Sequence, residues 1–223
     1  MHSAETAPLW IVEDAPLPYE PTVQRMTELA EAIAQGAAPE RIWLLEHLPV
    51  ITAGTSAEAG ELLDPSAFPV VRTGRGGRYT WHGPGQRVVY VLLNLARRGR
   101  DVRRLMAGLE EWAIAALARL GIAAHRSPLG AGVWVATNAG PVKVAAVGLR
   151  IRRWVSLHGM AINVAPDMAG FQAIVPCGIR NAGPGRLVDF RPHLTMADLD
   201  DALHATCGDF LAFLGGPWGT PGG

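Results

Sequence analysis

Cys177 is the residue of this sequence best placed for covalent chemistry. It lies in the segment Val175-Pro176-Cys177-Gly178-Ile179, between a proline that restricts the backbone and a glycine without a side chain. Such a position lets another molecule reach the sulfur. An ordinary thiol is mostly protonated at neutral pH, so a nucleophilic role requires a neighbouring cation or base. The alternative interpretation is a buried loop cysteine without a chemical role.

Lys143 is the second candidate, because it is the only lysine among 20 basic residues, the other 19 being arginines. Arginine can replace lysine in a surface ion pair or as a solubilising charge. It cannot replace lysine where a compact ammonium is needed, or an amine that loses its proton. A single retained lysine therefore indicates a site that needs an amine, although a solvated surface side chain remains the alternative.

The histidines and the other cysteine give weaker signals. His82 and His158 each precede a glycine, which is typical either of a site beside open backbone or of a histidine that holds a turn. Cys207 follows Leu203 by four residues on an apolar helical stripe and is expected to be a small buried hydrophobe. No HxH, HExxH or CxxC spacing occurs, so no metal site is predicted.

The glycine-rich segment 74–78 resembles a phosphate-binding loop, but both common nucleotide fingerprints fail. No GxxxxGK[ST] occurs, and the GxGxxG spacing is broken at Tyr79. Glycines here can instead let the backbone approach an apolar chain or a thioester closely.

Two groups of arginines are candidates for docking an acidic partner, with a solvated charged face as the alternative. Their members are Arg97, Arg98, Arg100, Arg103 and Arg104, and Arg150, Arg152 and Arg153.

The composition is that of a globular protein. The chain has 223 residues, of which 49% are hydrophobic and 18% charged, which excludes a disordered chain. Its formal net charge is zero, which gives no global field that would attract nucleic acid or membranes. No apolar run approaches the roughly 20 residues of a membrane span, and no secretory signal is visible. Two cysteines cannot form a disulfide framework, so we expect a soluble cytoplasmic protein.

Hydrophobic periodicity predicts the elements that must position these residues. Helices are predicted from Pro21 to Gly36, from Asp101 to Gly121 and over Met196–Leu214, with one or two helical turns over Asp167–Ile174. Strands are predicted at Leu9–Val12, Arg41–Thr52 with a break at Pro49, Val70–Val71, Val88–Leu95, Gly132–Ala136, Val142–Ile151 and Val155–Val164. We expect the last two strands to form a hairpin within one α+β domain spanning 1–223, with an ordered core of about 9–214 and a loose tail, 215–223.

Four linked motifs resemble the lipoyl(octanoyl) transferase family. They are Arg75-Gly76-Gly77-x-x-Thr80-x-His82-Gly83-Pro84-Gly85-Gln86, Lys143-x-Ala145-x-x-Gly148-x-Arg150, His158-Gly159-x-Ala161-x-Asn163 and Pro176-Cys177-Gly178. Their order and separations also match, and the resemblance extends from about Leu9 to Leu214. The sequence departs from the family at Trp81, where Tyr or Phe is usual; tryptophan keeps an aromatic wall without a hydroxyl, and we expect the departure to bear on the depth of the acyl pocket or its chain-length preference.

The resemblance implies a single-domain α+β fold with a mixed or antiparallel sheet and packed helices, related to biotin and lipoate protein ligases. It implies transfer of an octanoyl group from octanoyl-acyl carrier protein to a lysine of a lipoyl domain, without cofactor or metal. Cys177 would carry the group as a thioester and Lys143 would activate it, with His158 in a supporting position. The implied acyl-binding residues are Arg75, Gly76, Gly77, Arg78, Tyr79, Thr80, Trp81, His82, Ala146, Val147, Gly148, Gly159, Met160 and Ala161.

The implied acceptors are the lipoyl domains of 2-oxoacid dehydrogenase complexes and the glycine cleavage H protein, served by a monomeric enzyme. Three other functions stay open at this point. An ATP-dependent lipoate or biotin-type ligase shares the implied fold but needs an adenylate site. A cysteine thioesterase would resolve the thioester with water. A non-catalytic acyl-binding or carrier-binding module would leave Cys177 and Lys143 without a role.

Overall fold

The structure, a computed structural model, describes residues 7–178 and 182–215. Four helices are present: α1 (Tyr19–Ala34), α2 (Val102–Arg119), α3 (Ala169–Gln172) and α4 (Met196–Leu214). Ten strands are present: β1 (Leu9–Val12), β2 (Arg41–Leu45), β3 (Val50–Ala53), β4 (Val70–Arg72), β5 (Tyr79–His82), β6 (Gln86–Leu92), β7 (Ala124–Ser127), β8 (Gly130–Val135), β9 (Val142–Arg152) and β10 (Val155–Asn163). Of the tail predicted to be loose, only Gly215 belongs to the described residues, where it caps α4.

The strands form one large sheet and one small sheet. The seven-stranded sheet has the order β1-β2-β6-β10-β9-β8-β7, and the three-stranded sheet has the order β4-β3-β5. The β1–β2 and β3–β4 pairs are parallel and the other pairs are antiparallel. The predicted α+β fold with a mixed sheet and packed helices is therefore confirmed.

Helices cover both faces of the large sheet. Leu109 of α2 and Leu203 of α4 belong to the apolar cluster that contains Val89 and Val91 of β6. Met26 of α1 lies in a second cluster on the opposite face, together with Tyr90. Successive residues of β6 therefore enter different clusters, and burial on both faces explains why its sequence is a continuous apolar run.

Two of the predicted helices begin at side-chain caps. The Asp101 carboxylate accepts a hydrogen bond from Arg104 N at 2.9 Å, which confirms the predicted start of α2. Thr195 and Asp198 form a capping box at the start of α4.

The predicted hairpin of β9 and β10 places two of the sequence motifs on neighbouring strands of the sheet. Its turn, Arg153–Trp154, has positive φ at both residues, as two-residue hairpin turns require. The antiparallel register pairs Gly148 with Gly159 and Ala146 with Ala161. The resulting strip of small residues leaves open space above this part of the sheet.

Two strands were not predicted. β5 has only four residues and lies inside the glycine-rich region, where the glycines on both sides are typical of a loop. β7 has only four residues, Ala-His-Arg-Ser, and no side chain in it is fully buried. β7 lacks the alternating apolar pattern that identifies a strand, and the alternation of Tyr-Thr-Trp-His in β5 extends over only four residues.

Arg98 is a structural residue and does not belong to a docking surface. Its guanidinium forms a bidentate ion pair with the Glu40 carboxylate, and Asn94 N also donates to that carboxylate. The Arg98 and Glu40 side chains are 3% and 7% exposed. Counting Arg98 among the candidate docking residues was therefore wrong, because sequence does not show that Glu40 is its neighbour.

We expect Glu40→Gln to lower the free energy of unfolding by about 3–5 kcal/mol, because it leaves a buried guanidinium without its counter-charge. Urea denaturation monitored by circular dichroism measures the change. The same exchange at exposed Glu28 is the control, and it should change stability by less than about 0.5 kcal/mol. Equal stabilities of the two variants would contradict the prediction.

No helix among residues 7–178 and 182–215 is both long and apolar enough to cross a membrane. The same residues contain no group of three or more His, Cys, Asp or Glu side chains arranged to bind a metal ion.

Candidate active site

The fold brings the two side chains singled out by chemistry into contact. Lys143 Nζ lies 3.3 Å from Cys177 Sγ, within hydrogen-bonding distance for sulfur. Lys143 is the second residue of β9, and Cys177 lies in the short 3₁₀ turn Pro176–Gly178. An ammonium at this distance stabilises a thiolate electrostatically, and the neutral amine could accept the thiol proton.

The backbone presents Cys177 in an unusual conformation. Its φ is +54°, in the left-handed region that non-glycine residues adopt at a cost of about 1–3 kcal/mol. Gly178 follows with φ +70°, and a Cβ atom built there would lie 2.4 Å from Arg78 Cδ. The Gly178 N–H already donates to Val175 O, so it does not point at an incoming carbonyl oxygen.

Lys143 is held by its neighbours on the sheet. A Cβ atom built on Gly132 would lie 2.6 Å from Lys143 Cε, so this glycine makes room for the lysine stem. The ammonium lies 5.5 Å from the centroid of the Trp134 ring, a cation–π distance. In the part of the chain that the structure describes, no carboxylate pairs with Lys143. Its charge therefore acts mainly on Cys177.

A cavity of about 300 Å³ adjoins the Cys177–Lys143 pair. It is called the acyl cavity below, after the group that the family resemblance implies. Apart from Trp81, every residue that the family resemblance implied for acyl binding lines it, and so does His158. These residues are Arg75, Gly76, Gly77, Arg78, Tyr79, Thr80, His82, Ala146, Val147, Gly148, Gly159, Met160 and Ala161. Three separate motifs of the sequence thus form the walls of one cavity.

Trp81 is the exception and does not line the acyl cavity. Its ring packs against Phe68 and Phe171 in an apolar cluster, and its indole N–H is buried without a hydrogen-bond partner. Thr80 and His82, on either side of Trp81 in β5, line the cavity, and successive side chains of a strand point to opposite faces. The departure from the family pattern at this position therefore changes packing and not the cavity wall.

Four cavity residues were not predicted: Ser56, Val88, Tyr90 and Ala131. Val88 and Tyr90 alternate on β6, so the period of two could have placed them on one face. The sequence does not show which face of that buried strand borders a cavity. Ser56 and Ala131 are exposed and carry no sequence signal for this role.

Arg75 supplies a buried positive charge beside the cavity. Its Nη2 donates to Thr52 O at 2.8 Å and to Thr52 Oγ1 at 2.6 Å, and its Nη1 donates to Gly76 O. Burial lowers the pKa of Arg75, while the electrostatic effects of Tyr19, Cys177 and Tyr90 raise it. No carboxylate among the described residues neutralises Arg75. Its positive charge therefore favours negative charge on the Cys177 sulfur.

A cluster of buried histidine and tyrosine rings lies at the cavity. His82, Tyr90 and His158 line the cavity, and Tyr19 and His47 pack behind them without lining it. His47 Nδ1 lies 3.0 Å from Leu17 O, a pure acceptor, so Nδ1 carries the proton and Nε2 accepts from the Tyr90 hydroxyl at 2.7 Å. The ring of His47 is therefore neutral in this arrangement.

Burial keeps the whole cluster uncharged. Desolvation lowers the pKa of His47 to about 4 and that of His158 to about 3, and it lowers the pKa of His82 well below 6.5. It also raises the pKa of Tyr19 to about 12. The cluster thus offers neutral, mostly aromatic surface to a bound group, with Arg75 as the nearby charge.

We expect these histidines to make the protein sensitive to acid. Their folded-state pKa values lie below the value of about 6.5 in the unfolded chain, so the unfolded state binds more protons as the pH falls below 6.5. Stability is therefore retained above pH 6.5 and is lost between 6.5 and about 4, by roughly 3 kcal/mol for His47 alone. Urea denaturation at pH 7 and pH 5 measures this loss.

Two variants test whether the buried rings cause the acid sensitivity. His47→Gln should reduce the stability difference between the two pH values by about 2 kcal/mol. His125→Gln, at an exposed position, should keep the full difference. A wild-type pH response in His47→Gln would show that this ring is not responsible.

The two arginine groups differ in their surroundings. Arg152 and Arg153 both form ion pairs with Glu31, and Arg100 and Arg104 lie over aromatic rings. Arg150 lies beside the glycine-rich loop, since a Cβ atom built on Gly74 would be 2.5 Å from its Nη1. Arg150 is thus the candidate docking residue next to the acyl cavity.

Comparisons with known proteins agree with this geometry. The family model for the lipoyl protein ligase A/B catalytic domain matches residues 18–208. An octanoyltransferase of Parvibaculum lavamentivorans is 51% identical over 91% of this chain and 92% of the relative. An octanoyltransferase of Maricaulis maris is 53% identical over 87% of this chain and 88% of the relative.

Solved structures show the same fold at low sequence identity. A bipartite lipoate protein ligase from Thermoplasma acidophilum, solved in a study that included its E2 lipoyl domain, superposes with a TM-score of 0.69 and 17% identity. The match covers 93% of this chain and 84% of that one. The biotin protein ligase of Aquifex aeolicus superposes with a TM-score of 0.52 and 12% identity, covering 95% of this chain and 72% of the other.

Proposed function

Since this chain belongs to the lipoyl protein ligase A/B catalytic domain family and is an octanoyltransferase of protein lipoylation, we propose that Cys177 carries the octanoyl group as a thioester. The observation that carries the proposal is the 3.3 Å contact between Lys143 Nζ and Cys177 Sγ at the edge of the acyl cavity. A nucleophile, a group that exchanges protons with it and a space for the acyl chain thus occur together.

Acylation of the enzyme is a thioester exchange. The Cys177 thiolate attacks the carbonyl carbon of the octanoyl thioester on acyl carrier protein, the carbon–sulfur bond to the carrier breaks, and the carrier thiolate takes a proton from Lys143. One thioester replaces another, so the step is nearly isoenergetic and requires no ATP. Arg75 favours negative charge on the sulfur before the attack.

Transfer to the acceptor forms an amide. The neutral amine of a lysine on the acceptor protein attacks the thioester carbonyl carbon, and Cys177 leaves as the thiolate. The proton released from nitrogen passes to the dyad, which restores the starting state. Lipoyl-domain proteins in general are the acceptors of octanoyltransferases, and we propose the 2-oxoacid dehydrogenase complexes and the glycine cleavage H protein as those served here.

The acyl cavity suits a saturated chain. Val88, Val147, Met160 and Ala161 offer apolar walls, and Gly148 and Gly159 keep the space above the sheet open. Each methylene group that leaves water contributes about 0.8 kcal/mol. Several such groups hold an octanoyl chain without any charged contact.

The active form that we propose is a cytoplasmic monomer. One chain supplies both members of the dyad and all the described walls of the acyl cavity. Cys177 and Cys207 are both free thiols, which supports a reducing compartment.

Intact-protein mass spectrometry tests the proposed intermediate. The enzyme is mixed with octanoyl-acyl carrier protein, and its mass is measured before and after addition of a lipoyl domain. We expect the gain of one octanoyl group, followed by its loss to the lipoyl-domain lysine. Transfer only in the presence of ATP would indicate ligase chemistry, and release of free octanoate would indicate a thioesterase.

We expect Arg150→Glu to slow acylation by octanoyl-acyl carrier protein about tenfold at low salt and to weaken the salt dependence of the rate. Acyl carrier proteins are acidic, and Arg150, beside the glycine-rich wall of the acyl cavity, has no carboxylate partner among the described residues. Stopped-flow measurement of acylation between low and high ionic strength tests this.

Arg103→Glu, at an exposed position of α2, is the matched control, because Arg103 belongs to the other arginine group. It should acylate within about twofold of the wild-type rate. The reverse result, a slow Arg103 variant and a normal Arg150 variant, would place the carrier on the α2 side.

A further inference from the structure

A second, smaller cavity adjoins the Cys177–Lys143 pair. Its volume is about 20 Å³, enough for one water molecule or one amine nitrogen. Thr80, Lys143, Ala146 and Cys177 line both this cavity and the acyl cavity. The dyad therefore lies on the boundary between two cavities.

An open groove adjoins the small cavity. It is lined by Thr137 and residues 139–141 of the β8–β9 connection, by Val142 at the start of β9, and by the segments 174–176 and 182–184. Pro176 and the segment 182–184 line both the groove and the small cavity. The acyl cavity, the dyad, the small cavity and the groove thus follow one another across the molecule.

The two sides of the dyad differ in charge. Arg75 lines the acyl cavity and Arg150 lies beside it, and neither has a carboxylate partner in the described part of the chain. Among the described residues that line the small cavity and the groove, Lys143 alone is charged. Two like charges 4 Å apart repel by about 4 kcal/mol at an effective dielectric constant of 20. An approaching ammonium is therefore opposed by Arg75 and Arg150 on one side, whereas among the described residues of the groove side it meets the charge of Lys143 alone.

The polar groups of the small cavity also suit an amine. Gln86 Nε2 uses both of its N–H donors, on Trp81 O and on Asn163 Oδ1. Asn163 Nδ2 donates to Gly185 O. Gln86 Oε1 already lies 2.6 Å from His82 Nδ1, and Asn163 Oδ1 already accepts from Gln86, so each oxygen keeps one lone pair that can accept a hydrogen bond from an N–H group.

When the octanoyl chain occupies the acyl cavity, the groove side of the dyad is the remaining route to the thioester. Once the octanoyl chain fills the acyl cavity, its carbonyl carbon lies next to Cys177 Sγ, and the small cavity borders the same sulfur. A nucleophile that arrives from the groove does not need to displace the chain.

We propose that the acceptor lysine enters through the groove and places its amine nitrogen in the small cavity, opposite the route by which the acyl donor arrives. This inference rests on the proposed function, since it requires a thioester on Cys177. The amine nitrogen attacks the carbonyl carbon, the bond to Cys177 Sγ breaks, and the proton from nitrogen passes to Lys143. The acceptor is a lipoyl domain that presents one lysine to the groove.

The variant Ala139→Trp tests the proposal. Ala139 is exposed on the β8–β9 connection and lines the groove without lining either cavity. The variant is loaded with octanoyl-acyl carrier protein, and single-turnover transfer to a lipoyl domain is then measured by intact mass. We expect acylation of Cys177 within twofold of wild type and transfer at least tenfold slower. Normal transfer, or equal slowing of both steps, would overturn the proposal.

Ala118→Trp is the matched control, because Ala118 is exposed on α2 and lines none of the three spaces. Acylation and transfer by this variant should both remain within twofold of wild type.

If Ala139→Trp does not fold, the pair Ala139→Arg and Ala139→Asp tests the same proposal through charge. The arginine variant should transfer more slowly than the aspartate variant, with similar acylation, and equal transfer rates would overturn the proposal. A wild-type enzyme that never gains the octanoyl mass would instead contradict the proposed function.

Discussion

Cys177→Ala is expected to gain no octanoyl mass from octanoyl-acyl carrier protein and to lose at least about four orders of magnitude in octanoyl transfer. The reason is that removal of a covalent nucleophile leaves only the contribution of binding and of the surrounding polar groups. The lost sulfur makes the 3.3 Å contact with Lys143 and borders both cavities. Intact mass and steady-state transfer to a lipoyl domain measure the two effects.

The second cysteine provides the control for this prediction. Cys207 is fully buried in α4, where burial raises the pKa of its thiol, and it borders neither cavity. Cys207→Ala should lower stability through lost packing, while retaining the mass gain and the transfer rate. If Cys177→Ala transferred octanoyl groups at more than about a hundredth of the wild-type rate, the thioester intermediate would be excluded.

Lys143→Arg is expected to lower octanoyl transfer by about 10²- to 10⁴-fold, even though it keeps the positive charge. A guanidinium does not release its proton at neutral pH, so it cannot accept the proton of the incoming amine in the second step. It is also larger than an ammonium, and the lysine stem already packs closely against Gly132. Single-turnover kinetics of acylation and of transfer should be measured separately.

A second substitution separates the electrostatic role of Lys143 from its role in proton transfer. Lys143→Met keeps the apolar stem and removes the charge, so both acylation and transfer should be slow. If Lys143→Arg retains part of the acylation rate but loses transfer, then the positive charge of Lys143 is needed for acylation, and its ability to exchange a proton is needed for transfer. Transfer by Lys143→Arg within tenfold of wild type would exclude the base role.

Sequence reasoning predicted several parts of the fold because those parts depend on local periodicity. α2 begins at the Asp101 cap, and the predicted range of α4, Met196–Leu214, agrees with the structure at both ends. β9 and β10 were predicted as a hairpin because their apolar segments are separated by only a few residues. In each case the signal lies within a short stretch of chain, where the spacing of apolar side chains reflects the geometry of one element.

The residues of the site were also largely identified from sequence. Lys143 stood out because arginine replaces lysine everywhere else, and Cys177 because of its neighbours Pro176 and Gly178. Four motifs in a fixed order gave the family resemblance. Together these signals identified the candidate residues without showing how they are arranged.

Only the tertiary structure decided which of these residues meet, because contacts between distant segments follow from strand pairing and packing. The contact of Lys143 with Cys177 joins β9 to a turn that follows α3. Trp81 was included among the residues of the acyl pocket but lies outside the cavity lining, since the sequence does not show which side chains of β5 border the cavity. Arg98 was assigned to the surface, since its burial depends on Glu40, far away in the sequence. The groove and the small cavity likewise exist only where separate segments come together, so no local pattern in the sequence predicted them.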